Sequence, residues 1–285
     1  IDVLRTNAHS LAAGYWINDR LYHREVCDMS VRMHAPVEEV RIRLAMMALA
    51  GCSISFSDEF QYLPPSRIRM MQQALPPGSP PMRPLDLLQR TIPSVWHLRC
   101  KTEADQWDVV GLFNFEDRPE ERTVELARLG LKPDEPVIAF EFWEEKLLGV
   151  MRDRLTLSMP PQSSRIVFLR PLAGRPQFVG TNMHLLGGWH ELQKLHWDGQ
   201  KRVLSGRYHR APGLEGKTFF YVPPDYQPHF DFPLNPSSAR LTNVGGGLWM
   251  QEVQFQQADV EWSIPFDGPE GKPEPTPKQE PNQTQ

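Results

Sequence analysis

The chain has 285 residues, 40% of them apolar, enough to bury a real core and to build two compact domains. Lys and Arg number 31 against 35 Asp and Glu, a net charge of −4, which argues against a nucleic-acid partner because such binders carry a basic stripe. No apolar run approaches the roughly 20 residues that span a bilayer, so no membrane partner is expected.

Three cysteines, Cys27, Cys52 and Cys100, are too few for a disulfide scaffold, and an odd count leaves at least one unpaired within the chain. Proline, at 28, is about twice its average share. Many turns and sheet edges are therefore expected, and few long helices. The chain opens Ile1-Asp2-Val3-Leu4, without an initiator Met or a signal-like apolar stretch. That start is expected of a processed chain or of a piece of a longer one, and it indicates no location.

The first long element is a helix over 37–50. Pro36 precedes it, Gly51 follows it, and Val37, Val40, Leu44 and Met47 share one face. A short strand, Cys52–Phe56, follows, then the polar loop Ser57-Asp58-Glu59. A second helix runs from Pro65 to Leu75 and stops at Pro76-Pro77. Helix, strand, loop and helix is the rhythm of a parallel α/β fold. Pro76 to Pro84 holds five prolines and Gly78 and reads as a linker, extended to 77–93 as a domain boundary.

Beyond it the period changes from 3.6 to 2. Strands are expected at Ser94–Leu98, Trp107–Phe115, Val137–Glu141, Glu145–Gly149, Arg154–Met159 and Ser164–Arg170. The run Asp108–Phe115 is nearly all apolar, as in a central sandwich strand. A further all-β segment offers Gln177–Asn182, Glu191–Trp197, Arg202–His209, Lys217–Val222, Gly247–Phe255 and Asp259–Ile264. The expected fold is mainly β: antiparallel sandwich architecture preceded by a partial (β/α) barrel remnant. The expected divisions are 1–76 barrel remnant, 77–93 linker, 94–171 sandwich, 172–267 second all-β segment and 268–285 disordered tail. Asn282-Gln283-Thr284 in that tail is formally a glycan acceptor.

Asp58 is the leading candidate for chemistry. It follows a strand that feeds a helix, and in parallel barrels active-site residues collect at that rim; an ordinary loop acid is the alternative. The stretch 15–29 mixes aromatics, carboxylates and amide, which suits a sugar: a ring such as Trp16 stacks while polar groups fork onto hydroxyls. A polar loop anchored by its aromatics is the alternative. Asp58 is expected on the same rim as Trp16–Asp28. His184, His190 and His196 recur every six residues, but no Cys or carboxylate completes a ligand set, so they read as surface or edge-strand histidines. Cys52 lacks a basic neighbour and reads as core. No phosphate-loop, dinucleotide, zinc-protease or serine-hydrolase motif occurs.

Several segments together resemble one family. Leu44–Leu49, then Ala50-Gly51-Cys52-Ser53-Ile54-Ser55-Phe56-Ser57-Asp58, then Leu63-Pro64-Pro65-Ser66-Arg67 are similar to the last strand and helix of the barrel in melibiase-type α-galactosidases, where "sGxxlxlsDdl" is followed by "lsperxxll". Met82–Leu87, Val109–Asp117, Phe140-Glu141-Phe142-Trp143, Leu148-Gly149 and Pro160–Ser164 resemble that family's domain junction and sandwich. Gly174–His184 resembles the linker into the terminal β segment of bacterial members. The order of these pieces is their specific part.

The resemblance implies a retaining glycosidase acting on terminal α-galactosides, with no metal or nucleotide cofactor and carbohydrate as the partner. It also implies that the family nucleophile lies on an earlier strand, outside these residues. Arg5-Thr6-Asn7-Ala8-His9 falls where the family has Arg-x-x-x-Asp, which puts Arg5 with the substrate and His9 at the acid/base position. The family's Asn-Asp-Pro-Asp falls on Arg24–Cys27 or Glu25–Asp28, so Glu25 or Asp28 would bond hydroxyls. Substrate contacts are thus expected from Asp58, Asp28, Glu25, Trp16 and Arg5. A non-catalytic carbohydrate-binding or accessory β-module is the rival reading, and a purely structural domain is a third.

Overall fold

A computed structural model describes residues 1–26, 30–78, 80–229 and 241–269. Asp28, Asn282 and the expected tail from residue 270 onward lie outside the described residues.

The first third is helical with one short parallel pair. Helix α1 (Asp2–Ala13) leads to β1 (Glu25–Val26), α2 (Val37–Leu49), β2 (Ser53–Ile54) and α3 (Pro65–Ala74). β1 and β2 run parallel, with Glu25 opposite Ser53. Glu38 and Glu39 sit in the first turn of α2, where carboxylates favour the helix N-terminus. Pro65 opens α3 at a position where a missing N–H costs nothing. From Leu44 to Leu49 every residue of α2 is buried, so its second half is enclosed on all sides. The strand expected over Cys52–Phe56 is shorter, and Ile54 and Phe56 are only half-buried. Among the described residues β2 pairs with β1 alone, so one of its edges carries no strand to bury it.

The proline-rich run is packed rather than loose. Gly78 N–H donates to Ala48 O at 2.8 Å and Met82 N–H to Leu49 O at 2.9 Å, which serves carbonyls that the end of α2 leaves unpaired. Met82 is fully buried. The run then enters a sheet as β3 (Arg83–Pro84), so the stretch 77–93 is not a free connector.

Strands β4 (Val95–Lys101), β5 (Gln106–Asn114), β6 (Glu120–Glu125), β7 (Val137–Glu141), β8 (Lys146–Met151), β9 (Arg154–Met159) and β10 (Ser163–Pro171) follow. Six of the strands form a sheet in the order β3-β4-β5-β10-β7-β8, while β6 and β9 pair separately. Alternation splits the sheet's two faces. Val110, Leu112, Val167 and Leu169 bury against Val124, Leu155 and Met159 of the β6–β9 ladder. Val109, Phe113, Ile166 and Phe168 join the core that holds α2. Gly111 lets the helix approach: a Cβ there would stand 3.0 Å from a Leu49 methyl. The core therefore runs continuously across residue 76.

The remaining strands are β11 (Gln177–Thr181), β12 (Leu192–Asp198), β13 (Val203–His209), β14 (Glu215–Tyr221), β15 (Gln227–Pro228), β16 (Leu241–Gly245), β17 (Leu248–Gln254) and β18 (Asp259–Asp267). They form two four-stranded antiparallel sheets, β11-β14-β17-β16 and β12-β13-β18-β15. Phe178, Phe220 and Val253 of one meet Trp197, Tyr208 and Trp262 of the other. The segment is thus a second sandwich. It joins the first through Phe219, whose ring lies 4.7 Å from that of Phe140.

Gly51 turns the chain from α2 into β2 at φ +67, and a Cβ there would meet the Gly78 carbonyl oxygen at 2.4 Å. Gly174 has nearly the same φ, +66, with nothing within 4 Å. Gly174→Ala is expected to cost only backbone strain, about 1 kcal/mol. Gly51→Ala adds a clash with fixed backbone and is expected to cost about 3 kcal/mol or more. Urea midpoints of the two variants check this, and equal losses would contradict it.

Candidate functional site

Buried Asn18 organises the amino end of the parallel pair. Its Nδ2 donates to Ala50 O (3.0 Å) and Gly51 O (2.9 Å), and its Oδ1 accepts from Arg24 N–H (2.8 Å). The Arg24 guanidinium in turn donates to the Ser10 and Leu11 carbonyls at the end of α1. Burial holds the Cys52 thiol up at about 11, so it is a core group and not a nucleophile at neutral pH.

The carboxyl end is organised by half-buried Asp58. One oxygen accepts from Val31 N–H at 2.9 Å and the other from Ser30 Oγ at 3.2 Å. Arg43 completes the anchorage by donating to Ser30 O at 2.6 Å. Asp58 therefore ties the loop leaving β1 to the loop leaving β2. Neither Ser30 nor Val31 stands out in the sequence: a lone serine hydroxyl is commonplace and a backbone N–H carries no sequence signal. A carboxylate retains further lone pairs after two such bonds and can still accept from a ligand hydroxyl.

Asp28 lies outside the described residues, and Trp16, Glu25, Arg5 and His9 make no hydrogen bond to Asp58. Trp16 is 55% exposed and lies two residues before Asn18, in the connection that enters the amino end of β1. Helix-to-strand and strand-to-helix connections occupy opposite ends of a parallel βα unit, so Trp16 and Asp58 do not share a rim. Glu25 is exposed on β1, opposite Ser53. Arg5 is committed elsewhere: it donates to Phe115 O through Nε (3.2 Å) and Nη2 (2.7 Å), and to Glu116 at 3.1 Å. Its guanidinium clamps α1 to the first sandwich and is not a free sugar-binding fork. His9 is exposed on α1.

The histidines also depart from expectation. His184 is buried, His190 is half-buried, and their rings pack edge to face with centroids 4.6 Å apart; His196 alone of the three is exposed. Among the described residues no group of three or more His, Cys, Asp or Glu could hold a metal ion.

Asp58→Asn and Asp58→Ala separate the tether from mere charge. The amide keeps an acceptor for Val31 N–H and a donor for Ser30 Oγ, so Asn is expected to cost about 1 kcal/mol or less. Alanine leaves the Val31 N–H without its partner and is expected to cost about 1–3 kcal/mol and to raise amide exchange at Val31. Equal exchange in both variants would show that the loop does not depend on Asp58.

No protein-family model matches this chain, and no curated protein does. Among solved structures, it is similar to a GH27 β-L-arabinopyranosidase from Geobacillus stearothermophilus, with TM-score 0.45 and 15% identity over 61% of this chain and 43% of that one. It is also similar to α-galactosidase I from Mortierella vinacea (TM-score 0.40, 12% identity, 49% of this chain and 38% of that one). An isomalto-dextranase from Arthrobacter globiformis matches over 81% of this chain and 44% of its own, at TM-score 0.36 and 12% identity. The chain spans less than half the length of each of these three structures.

Proposed function

We propose that this chain is the C-terminal part of an α-galactosidase-like glycoside hydrolase that acts on terminal α-galactosides with retention, and that the chain alone does not hydrolyse them. The observation that carries the reading is the unfinished character of the first third. β1-α2-β2-α3 is two βα units in succession, yet among the described residues its parallel sheet stops at two strands. Parallel sheets occur with both faces covered and with more strands than two. Among the described residues, eight of the twelve exposed large apolar side chains also lie in the first 62 positions: Val3, Trp16, Leu21, Tyr22, Met33, Val37, Phe60 and Tyr62. Further βα units would pair those edges and cover those side chains.

In that whole barrel Asp58 would bond sugar hydroxyls at the carboxyl-end rim, and Asp28, which follows β1 in the sequence, would bond others. Retention needs two carboxylates about 5–5.5 Å apart, one as nucleophile. The family resemblance puts the nucleophile upstream of this chain, which is why hydrolysis by the chain alone is not expected. The rival reading, a non-catalytic carbohydrate-binding module, is favoured by the engagement of Arg5 with Phe115 and Glu116 and by a histidine at position 9.

The test is an aryl α-galactoside assay on the 285-residue chain and on the same chain extended through its upstream reading frame. Turnover only by the extended form, with the α-anomer of galactose released first by NMR, is the expected result. Turnover by the short chain that disappears in His9→Ala would overturn the proposal, as would an extended form inert on every aryl α-galactoside.

A further inference from the structure

A polar cleft that includes no residue of the β1–β2 pair lies where α3, the β7–β8 turn and the second sandwich meet. It is an open cleft of about 310 Å³, at the small end of ligand pockets and of a size for one or two sugar rings. Its floor is one face of a sheet. Glu215 stands opposite Gln254 and Lys217 opposite Glu252 on β14 and β17, so all four side chains project to the same side. On an ordinary surface such a square would face open water. Here Arg69 from α3 and Glu145 from the β7–β8 turn wall it in.

The walls are held in place from below. Asn182 is only 3% exposed. Its Nδ2 donates to Glu145 Oε1 at 2.5 Å, and its Oδ1 accepts from Arg69 Nη2 (3.0 Å) and from Lys217 N–H (2.8 Å). Lys217 Nζ donates to the other Glu145 oxygen at 2.8 Å. Glu145 has φ +52, a left-handed conformation costly for a residue with a side chain, and this network fixes it there. The floor differs: the side chains of Glu215, Glu252 and Gln254 make no hydrogen bond among the described residues. Two carboxylates and an amide thus line the cleft as exposed groups that no other described side chain engages.

We propose that this cleft is a binding site for a neutral mono- or disaccharide. Two cations, Arg69 and Lys217, against three carboxylates leave the lining slightly acidic, which disfavours an anion. The held acceptor Glu145 and the floor carboxylates Glu215 and Glu252, beside the Lys217 ammonium and the Gln254 amide, match the hydroxyls of a sugar, each of which both donates and accepts. No aromatic ring lines the cleft to stack on a sugar face, so the affinity is expected to be modest, with half-saturation on the order of millimolar. The site stands on the second sandwich and does not depend on Asp58 or on the glycosidase reading.

The experiment is saturation-transfer NMR on the full 285-residue chain with methyl α-D-galactopyranoside and methyl α-D-glucopyranoside as probes. Saturable binding of at least one is expected. It should weaken about tenfold or more in the double variant Glu215→Gln/Glu252→Gln, since hydrogen bonds to charged acceptors are the stronger ones. Both residues are exposed and without partners, so the variant should keep the wild-type melting curve. Inorganic phosphate should not compete. Absence of saturable binding of either probe up to about 100 mM, far above the expected millimolar range, would overturn the proposal, as would unchanged binding in the double variant. Binding lost in Asp58→Ala but kept in the double variant would place the sugar at the β1–β2 rim, removing this site while leaving the glycosidase reading intact.

Discussion

Arg170→Ala is expected to lower the unfolding free energy by about 3–5 kcal/mol, a large share of the roughly 5–15 kcal/mol that holds a domain folded. Arg170 lies on β10, the strand that leads into the second sandwich, and is 2% exposed. Its Nε donates to Val179 O at 2.8 Å and its Nη2 to Gly187 O at 3.3 Å. Nη1 pairs with Asp105. The guanidinium also lies 4.4 Å from the ring centre of Trp107 and 4.8 Å from that of Phe178. Burial pulls the Arg170 pKa down while Asp105 opposes that pull, and a guanidinium stays charged at any working pH. One side chain therefore satisfies two carbonyls beyond the strand, neutralises a carboxylate and fills the space between two aromatic rings.

Alanine removes all of these at once and leaves the Val179 and Gly187 carbonyls without this donor and Asp105 without its cation. Arg170→Lys is expected to recover only part of the loss, because an ammonium can pair Asp105 but cannot fork to two carbonyls or lie flat on Trp107. Asp105→Asn should cost less than Arg170→Ala, because that carboxylate is partly solvated. Urea unfolding of the three variants gives the ranking. A loss below about 1 kcal/mol for Arg170→Ala would mean that apolar contacts alone, such as Phe140 on Phe219, hold the two sandwiches together.

Legibility in the sequence followed burial. The run Asp108–Phe115 was readable because a central strand buried on both faces must be apolar throughout, and β5 is such a strand, between β4 and β10. β7 and β9 fall at the residues expected, bounded by turns. β6, Glu120-Glu121-Arg122-Thr123-Val124-Glu125, escaped notice because only Arg122 and Val124 turn inward and the other four are polar. α1 is obscured for another reason: Leu4, Ala8, Leu11 and Ala12 carry the helical spacing, but two of the four are alanines and the stretch between is polar. At the candidate site the sequence places Asp58 in a strand-to-helix loop, and the structure shows it there as a tether to Ser30 and Val31. Composition does not tell a helix-to-strand loop from its opposite, so the sequence alone does not say at which end of β1 Trp16 lies. The polar cleft was not legible at all, since Arg69, Glu145, Asn182 and Glu252 come from four separate elements and meet only through the packing of both sandwiches on α3.

The chain is expected to lose stability steeply as pH falls below about 6.5, with His184 a principal cause. The β11–β12 connection caps the end of α3: Leu185 N–H donates to Gln73 O at 2.9 Å, and His184 Nε2 lies 2.8 Å from Pro76 O. The other ring nitrogen, Nδ1, accepts from Leu186 N–H at 3.1 Å. These two partners require the neutral tautomer with its proton on Nε2, because a protonated Nδ1 would face another donor. Burial is the main cause that pulls the His184 pKa down to about 3, with His190 and Arg210 adding positive charge nearby. An unfolded histidine binds its proton near 6.5. Between those values the unfolded chain holds more protons than the folded one, so stability rises with pH across the window and is lost as pH falls through it. His190, lowered by burial and by Arg210, acts in the same direction. Glu191 acts in the opposite one: burial raises its pKa against the pull of Arg210, so its contribution is whole below the ordinary carboxylate value and fades as pH rises. A single site gives a slope of at most about 1.4 kcal/mol per pH unit, and urea unfolding at pH 7, 6, 5 and 4 measures it. His184→Gln keeps an amide donor within reach of Pro76 O but cannot titrate. It is expected to be less stable than the parent at pH 7 and to show a slope shallower by about 1 kcal/mol per unit between pH 6 and 4. The same slope in both proteins would mean that His184 does not set the acid limit, and that other protonations shared by parent and variant do.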